Sequence, residues 1–102
     1  MIATFGEYIR HLRTNKGLTL TELAALLKLD SANLCKIENG KREFDEKRLD
    51  KLAKAFDLNF EELKTEYFGD QFAKKLHRYN CSSDALLIAQ EKVNYLRNIY
   101  AK

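Results

Sequence analysis

The chain contains no proline, so no residue in it forces a helix to stop or kink for want of a backbone N–H. Leu, Lys, Glu and Ala are frequent, and no alternating apolar and polar stretch of any length occurs, so the expected fold is all-α. Only four glycines are present, Gly6, Gly17, Gly40 and Gly69, too scattered to form a phosphate-cradling loop. Cys35 and Cys81 stand far apart, which argues against a disulfide framework and a zinc site. His11 and His77 are isolated, with no set of Cys, Asp and Ser spaced to join them, and the paired carboxylates Glu61 and Glu62 sit at a helix start, where the positive helix end accounts for them. No catalytic residue, metal or cofactor is therefore expected. There is no signal peptide and no apolar run near the roughly 18 residues of a membrane span, so a cytoplasmic protein outside the membrane is expected.

Net charge of one sign is also missing where it would be most telling. Residues 1–66 hold twelve Lys or Arg and twelve Asp or Glu, and the overall +3 comes entirely from the tail. Charge alone cannot argue for nucleic acid. Local placement can: Lys36, Lys41, Arg42, Lys47 and Arg48 cluster in one stretch, interleaved with Glu43, Asp45 and Glu46.

The most informative segment runs from Thr19 to Gly40, TLTELAALLKLDSANLCKIENG. Thr19 and Glu22 stand three apart ahead of an apolar run, so each side chain can bond the other's free N–H, and a helix begins at Leu20. Leu23, Ala24 and Leu27 then share one face of a 3.6-residue period. The pattern breaks at Lys28-Leu29-Asp30, and Asp30 is a good cap for a new helix from Ser31. Leu34 and Ile37 form the buried edge of that helix. Ser31, Ala32, Asn33 and Lys36 project from the other side, and Asn39-Gly40 closes it.

Five further helices follow from the same signals. Thr4 caps the first of the chain, with Phe5, Tyr8, Ile9 and Leu12 at helical spacing until Gly17 ends it. Asp45 opens another, striped by Leu49, Leu52, Ala53 and Phe56, and Asn59 with Glu62 caps a fifth, with Phe60 and Leu63 as core contacts. Phe44 is expected to fold back as an apolar anchor. Beyond Glu66 the composition shifts, and two more helices are expected, from Asp70 to about Arg78 and, capped by Ser83, from Asp84 to about Tyr100. The organisation is thus a helix-turn-helix domain over 1–66 and a C-terminal helical segment over 67–102, seven helices in all.

Thr19 to Arg42, with Arg13-x-x-x-Gly17-Leu18-Thr19 before it and Ile37-Glu38-Asn39-Gly40-Lys41-Arg42 at its end, resembles the helix-turn-helix of the Cro/cI-type (XRE) DNA-binding family. The resemblance covers roughly the first 66 residues and implies a five-helix, lambda repressor-like domain. It departs from the family at Lys28, where a glycine is usual because the backbone turns left-handed, at a cost of roughly 1–2 kcal/mol. The proline common after Asn-Gly-Lys is absent.

The resemblance implies site residues too. Ser31, Ala32, Asn33 and Lys36 align with family positions that touch base edges; Lys36 suits guanine O6 or N7, Asn33 adenine, Ala32 a thymine methyl, and Ser31 is permissive. Thr19 and the N–H groups opening its helix match a phosphate-holding position, with the hydroxyl of Thr21 beside them. Asn39, Lys41 and Arg42 match phosphate contacts in the following loop. Arg13 and Glu38 match a structural ion pair that pins the base-reading helix to the first helix.

In the tail, Leu86, Ala89, Val93, Leu96 and Tyr100 step by three, four, three and four, the spacing of a seam between packed helices, and Ile88, Tyr95 and Ile99 widen it. So broad an apolar face calls for a second subunit, with packing against the chain's own N-terminal domain as the alternative. The expected function is a homodimeric, sequence-specific regulator of transcription on double-stranded DNA, with half-site centres roughly 34 Å apart or a multiple of that. Small phage-type repressors and restriction-modification controllers share this organisation. The alternative is an antitoxin-like module whose tail binds a heterologous protein and whose helix-turn-helix only autoregulates.

Overall fold

The computed structural model describes residues 2–101. Among them are six α-helices, one 3₁₀ turn and no strand: α1 Phe5–Asn15, α2 Leu20–Leu27, α3 Ser31–Glu38, the 3₁₀ turn Glu46–Arg48, α4 Leu49–Phe56, α5 Phe60–Arg78 and α6 Asp84–Ile99. The all-helical fold is as expected, with the helix-turn-helix domain first and further helices after it. The count differs because the break expected between Glu66 and Asp70 does not occur. Gly69 costs a helix about 1 kcal/mol relative to Ala, which neighbouring turns absorb when no proline interrupts them, and α5 runs on unbroken.

Side-chain caps set the helix starts. Thr4 and Glu7 exchange bonds of 2.9 and 3.2 Å at the head of α1, and Thr19 and Glu22 exchange bonds of 2.8 and 3.1 Å at the head of α2. Asp30 accepts the Asn33 N–H at 2.7 Å to start α3, and Asn59 accepts the Glu62 N–H at 3.0 Å at the start of α5. The last helix is an exception to the expected capping. Ser83 makes no side-chain cap bond, and the Ser82 hydroxyl takes the Asp84 N–H at 3.2 Å instead.

The turn between α2 and α3 is left-handed at Lys28, with φ 60° and ψ 41°, so the cost of a side chain there is incurred. Arg48 supports that turn. Its Nε donates to the Leu27 carbonyl at 3.0 Å, Nη2 to the Lys28 carbonyl at 3.2 Å and Nη1 to the Asp45 carboxylate at 3.2 Å. These bonds satisfy carbonyls that a helix end otherwise leaves bare. At the end of α3 the left-handed residue is Gly40, with φ +76°, while Asn39 stays at φ −91°. The Lys41 N–H then reaches back to the Lys36 carbonyl at 2.8 Å.

The chain divides into two compact units, Met1–Asp70 and Gln71–Lys102. In the first, Ile9, Leu23, Leu27, Leu34, Leu49, Leu52 and Leu63 are wholly buried. Phe44 folds back as expected, its ring 5.6 Å from that of Phe5. Phe60, expected in the core, is 40 % exposed, and Leu63 and Tyr67, one turn apart, form the buried face of α5. Tyr67 packs edge-on at 5.1 Å from Phe5 and donates its hydroxyl to the Phe44 carbonyl at 2.7 Å, so the core reaches past residue 66. Gly6 is buried where α1 crosses the end of α3, and a Cβ built on it would lie 2.2 Å from the Ile37 carbonyl oxygen.

In the second unit, Asn80 turns the chain with φ 52° and the Cys81 N–H closes α5 on the Leu76 carbonyl at 2.9 Å. No residue of α6 is buried. Along the spacing expected for a seam, Leu86 is 52 % exposed, Val93 37 %, Leu96 48 % and Tyr100 73 %, and Ala89 is exposed as well.

Candidate nucleic-acid interface

Helix α3 has two unlike faces. Leu34, Ile37 and Glu38 are buried, while Ser31, Ala32 and Lys36 are exposed and Asn33 is half-buried at their edge. An isolated eight-residue helix would be marginal in water; here the buried edge and the Asp30 cap hold it so that the small residues of its first turn face outward. The ammonium groups of Lys36 and Lys41 have no partner among the described residues.

Two clusters fix the ends of this helix. At its C-terminal end Arg13 grips Glu38 with both arms of its guanidinium, Nε to Oε2 at 2.7 Å and Nη2 to Oε1 at 3.0 Å, and its Nη1 donates to the Leu18 carbonyl at 3.0 Å. The Glu38 side chain is 2 % exposed and that of Arg13 15 %, and the bond to Glu38 raises the Arg13 pKa above its ordinary value. Arg10, which sequence reasoning missed, lies 3.4 Å from Glu38 through Nε and donates through Nη2 to the Asn39 side-chain oxygen. Its position three residues before Arg13, on the same face of α1, was the available signal.

At the other end, the Asn33 amide donates to Asp30 Oδ2 at 3.1 Å, and its oxygen accepts a bond from Arg42 Nη1. Arg42 thus leaves the loop and lies back along α3. Arg48, grouped by sequence with the phosphate-facing cations, is turned inward to the Leu27 and Lys28 carbonyls, and its role is to hold the turn. Thr19 is engaged by Glu22, whose carboxyl pKa is lowered chiefly by the Thr19 backbone N–H. The carboxylate thereby takes part of the positive end of α2. Thr21 and Asn39 are exposed, the latter donating to Cys35 Sγ at 3.5 Å.

A capped helix pair on a small helical core, the second member turning a polar edge outward beside unpaired lysines, defines a helix-turn-helix reader of DNA. The helix-turn-helix family model matches residues 9–63, more than half of the chain, and the chain belongs to this XRE-type family of DNA-binding transcription regulators. Among curated proteins none matches significantly. The chain is similar to the restriction-modification controller protein C.AhdI from Aeromonas hydrophila, with 41 % identity, TM-score 0.52 and coverage of 58 % of this chain and 89 % of that one. It is also similar to the clp gene regulator ClgR from Corynebacterium glutamicum, at 25 % identity and TM-score 0.53 over 94 % and 88 % of the two chains. A transcriptional regulator from Listeria innocua shares the fold, at 22 % identity and TM-score 0.55 over 100 % of each chain. No helix of the described residues is long and apolar enough to cross a membrane.

Proposed function

We propose that the protein acts as a homodimer on a near-palindromic operator, each copy laying α3 in a major groove, with half-site centres about one helical turn apart or a multiple of that. The observation that carries this reading is the exposure of Ser31, Ala32 and Lys36 beside the buried Leu34 and Ile37. Ser31, Ala32, Asn33 and Lys36 form the base-facing edge. Thr19, Thr21, Asn39, Lys41 and Arg42 flank it toward the phosphates, and Arg13 with Glu38 fixes the angle of α3. The likeness to a restriction-modification controller at 41 % identity favours a regulator of that kind over a phage-type repressor. Because acidic residues interleave with the basic ones, few phosphate contacts and a modest dependence on salt are expected.

Selection of genomic fragments with the purified protein tests the reading, and a protein that enriches no sequence would refute it. On the selected site, Lys36→Ala is expected to relax base preference at one position by about 1–3 kcal/mol. Equal weakening on every sequence would make Lys36 a phosphate contact.

The bare apolar face of α6 favours a second reading as well, an antitoxin-like module whose tail holds a heterologous protein. Light scattering separates the two. A symmetric dimer that falls to monomers when the tail from residue 71 is removed supports self-association through Leu86, Ala89, Val93, Leu96 and Tyr100. A full-length chain that is monomeric at micromolar concentration supports the alternative.

A further inference from the structure

Asn33 has the chemistry to read adenine, yet both heteroatoms of its amide are already engaged: Nδ2 donates to Asp30 Oδ2 at 3.1 Å and Oδ1 accepts from Arg42 Nη1. A bidentate adenine contact would have to use the remaining N–H and lone pair of an amide whose plane these two bonds already set. Asp30 is itself fixed, because its other carboxylate oxygen caps α3 through the Asn33 N–H at 2.7 Å. The result is a relay from the helix cap through Asn33 to the guanidinium of Arg42, which arrives from nine residues further along the chain. Arg42 is exposed, and its Nε and Nη2 donors have no partner among the described residues. An arginine so placed lies over the first turn of α3, the part of a recognition helix that approaches base edges most closely. Its free donors have the fork geometry that matches guanine O6 and N7.

We propose that Arg42 is a specificity-determining residue that reads a guanine in each half-site, and that Asn33 is a positioning residue acting through it. The proposal rests on the operator-binding reading above and departs from the assignment of Arg42 to phosphate and Asn33 to adenine. It is tested by comparing the wild type with Asn33→Ala, Arg42→Ala, Arg42→Lys and the Asn33→Ala/Arg42→Ala double variant on the selected operator and on its three variants at every position. Thermal melting of each establishes that it is folded.

The expected result is loss of about 10- to 100-fold of preference for guanine at one position in Arg42→Ala, the same position losing preference in Asn33→Ala, and no further loss in the double variant. Arg42→Lys is expected to lose that preference while keeping the slope of affinity against salt, because it retains the charge without the fork. Losses at two different positions that add in the double variant would overturn the proposal, since Asn33 would then read its own base. So would an Arg42→Ala variant that binds all sequences equally less well with a shallower salt slope, the signature of a phosphate contact. A wild type that selects no operator defeats the operator-binding reading itself, an outcome distinct from either of these.

Discussion

Arg13→Ala is expected to lower the melting temperature of the protein by roughly 12 °C or more, from a loss of about 3 kcal/mol in a domain of this size, and to weaken operator binding in the same step. The magnitude comes from what is left behind. Glu38 is 2 % exposed and receives two of its three arginine bonds from Arg13. Without them the carboxylate keeps only the long 3.4 Å approach of Arg10, whose side chain is 43 % exposed. A buried charge stripped of its partner costs far more than the intact pair contributes. The Leu18 carbonyl loses its donor as well, at the point where the chain turns toward α2.

The functional part of the loss follows from position. Glu38 is the last residue of α3, so the ion pair fixes the far end of that helix, the one proposed to face the bases, against α1. Releasing it frees α3 to tilt, and small displacements are costly for contacts with base edges. Replacing both partners, as Arg13→Met with Glu38→Leu, is expected to recover much of the stability, because neither charge is then buried alone. Differential scanning calorimetry and a binding titration on the selected site check both effects. An Arg13→Ala protein that loses binding at an unchanged melting temperature would show that Arg13 contacts DNA and is not structural.

How much of this was legible in the sequence depended on the range of the interaction. The caps at Thr4, Thr19 and Asp30 were readable because each joins residues three apart, and the left-handed turn at Lys28 was readable from its place in the motif. Leu23, Leu27, Leu34 and Ile37 were readable from period alone. The break expected after Glu66 was a misreading of composition. Nothing in Glu66-Tyr67-Phe68-Gly69 removes a helical hydrogen bond, and Tyr67 completes the core through Phe5 and the Phe44 carbonyl. The inward turn of Arg48 is not legible in the sequence because its carbonyl partners lie twenty and twenty-one residues back. The bond from Arg42 to Asn33 was hidden for the same reason: a loop's path across a neighbouring helix leaves no periodic trace.

Gly6 shows the same limit most sharply, and it carries the other large expected effect. As sequence it is an ordinary glycine in the first turn of a helix, where alanine would be favoured by about 1 kcal/mol. In the fold it marks the closest approach of α1 to α3, where an added Cβ would stand 2.2 Å from the Ile37 carbonyl oxygen and 3.1 Å from that of Glu38. Both obstacles are backbone, so no side chain can swing aside. Gly6→Ala therefore has to push the two helices apart, which loosens Phe5 and Ile9 in the core and lengthens the bonds from Arg13 to Glu38. Overpacking of this kind costs typically 1–3 kcal/mol and more against rigid neighbours, which outweighs the helix preference and leaves a net loss of about 2 kcal/mol or greater. The expected result is a lower melting temperature together with weaker operator binding, since Ile37 and Glu38 belong to the helix proposed to enter the groove. Gly69→Ala serves as the control. Gly69 is also helical, nothing lies within 4 Å of where its Cβ would be, and its replacement is expected to raise the melting temperature slightly. If Gly6→Ala melted as high as Gly69→Ala, the close crossing of α1 and α3 would not be what holds α3 in place.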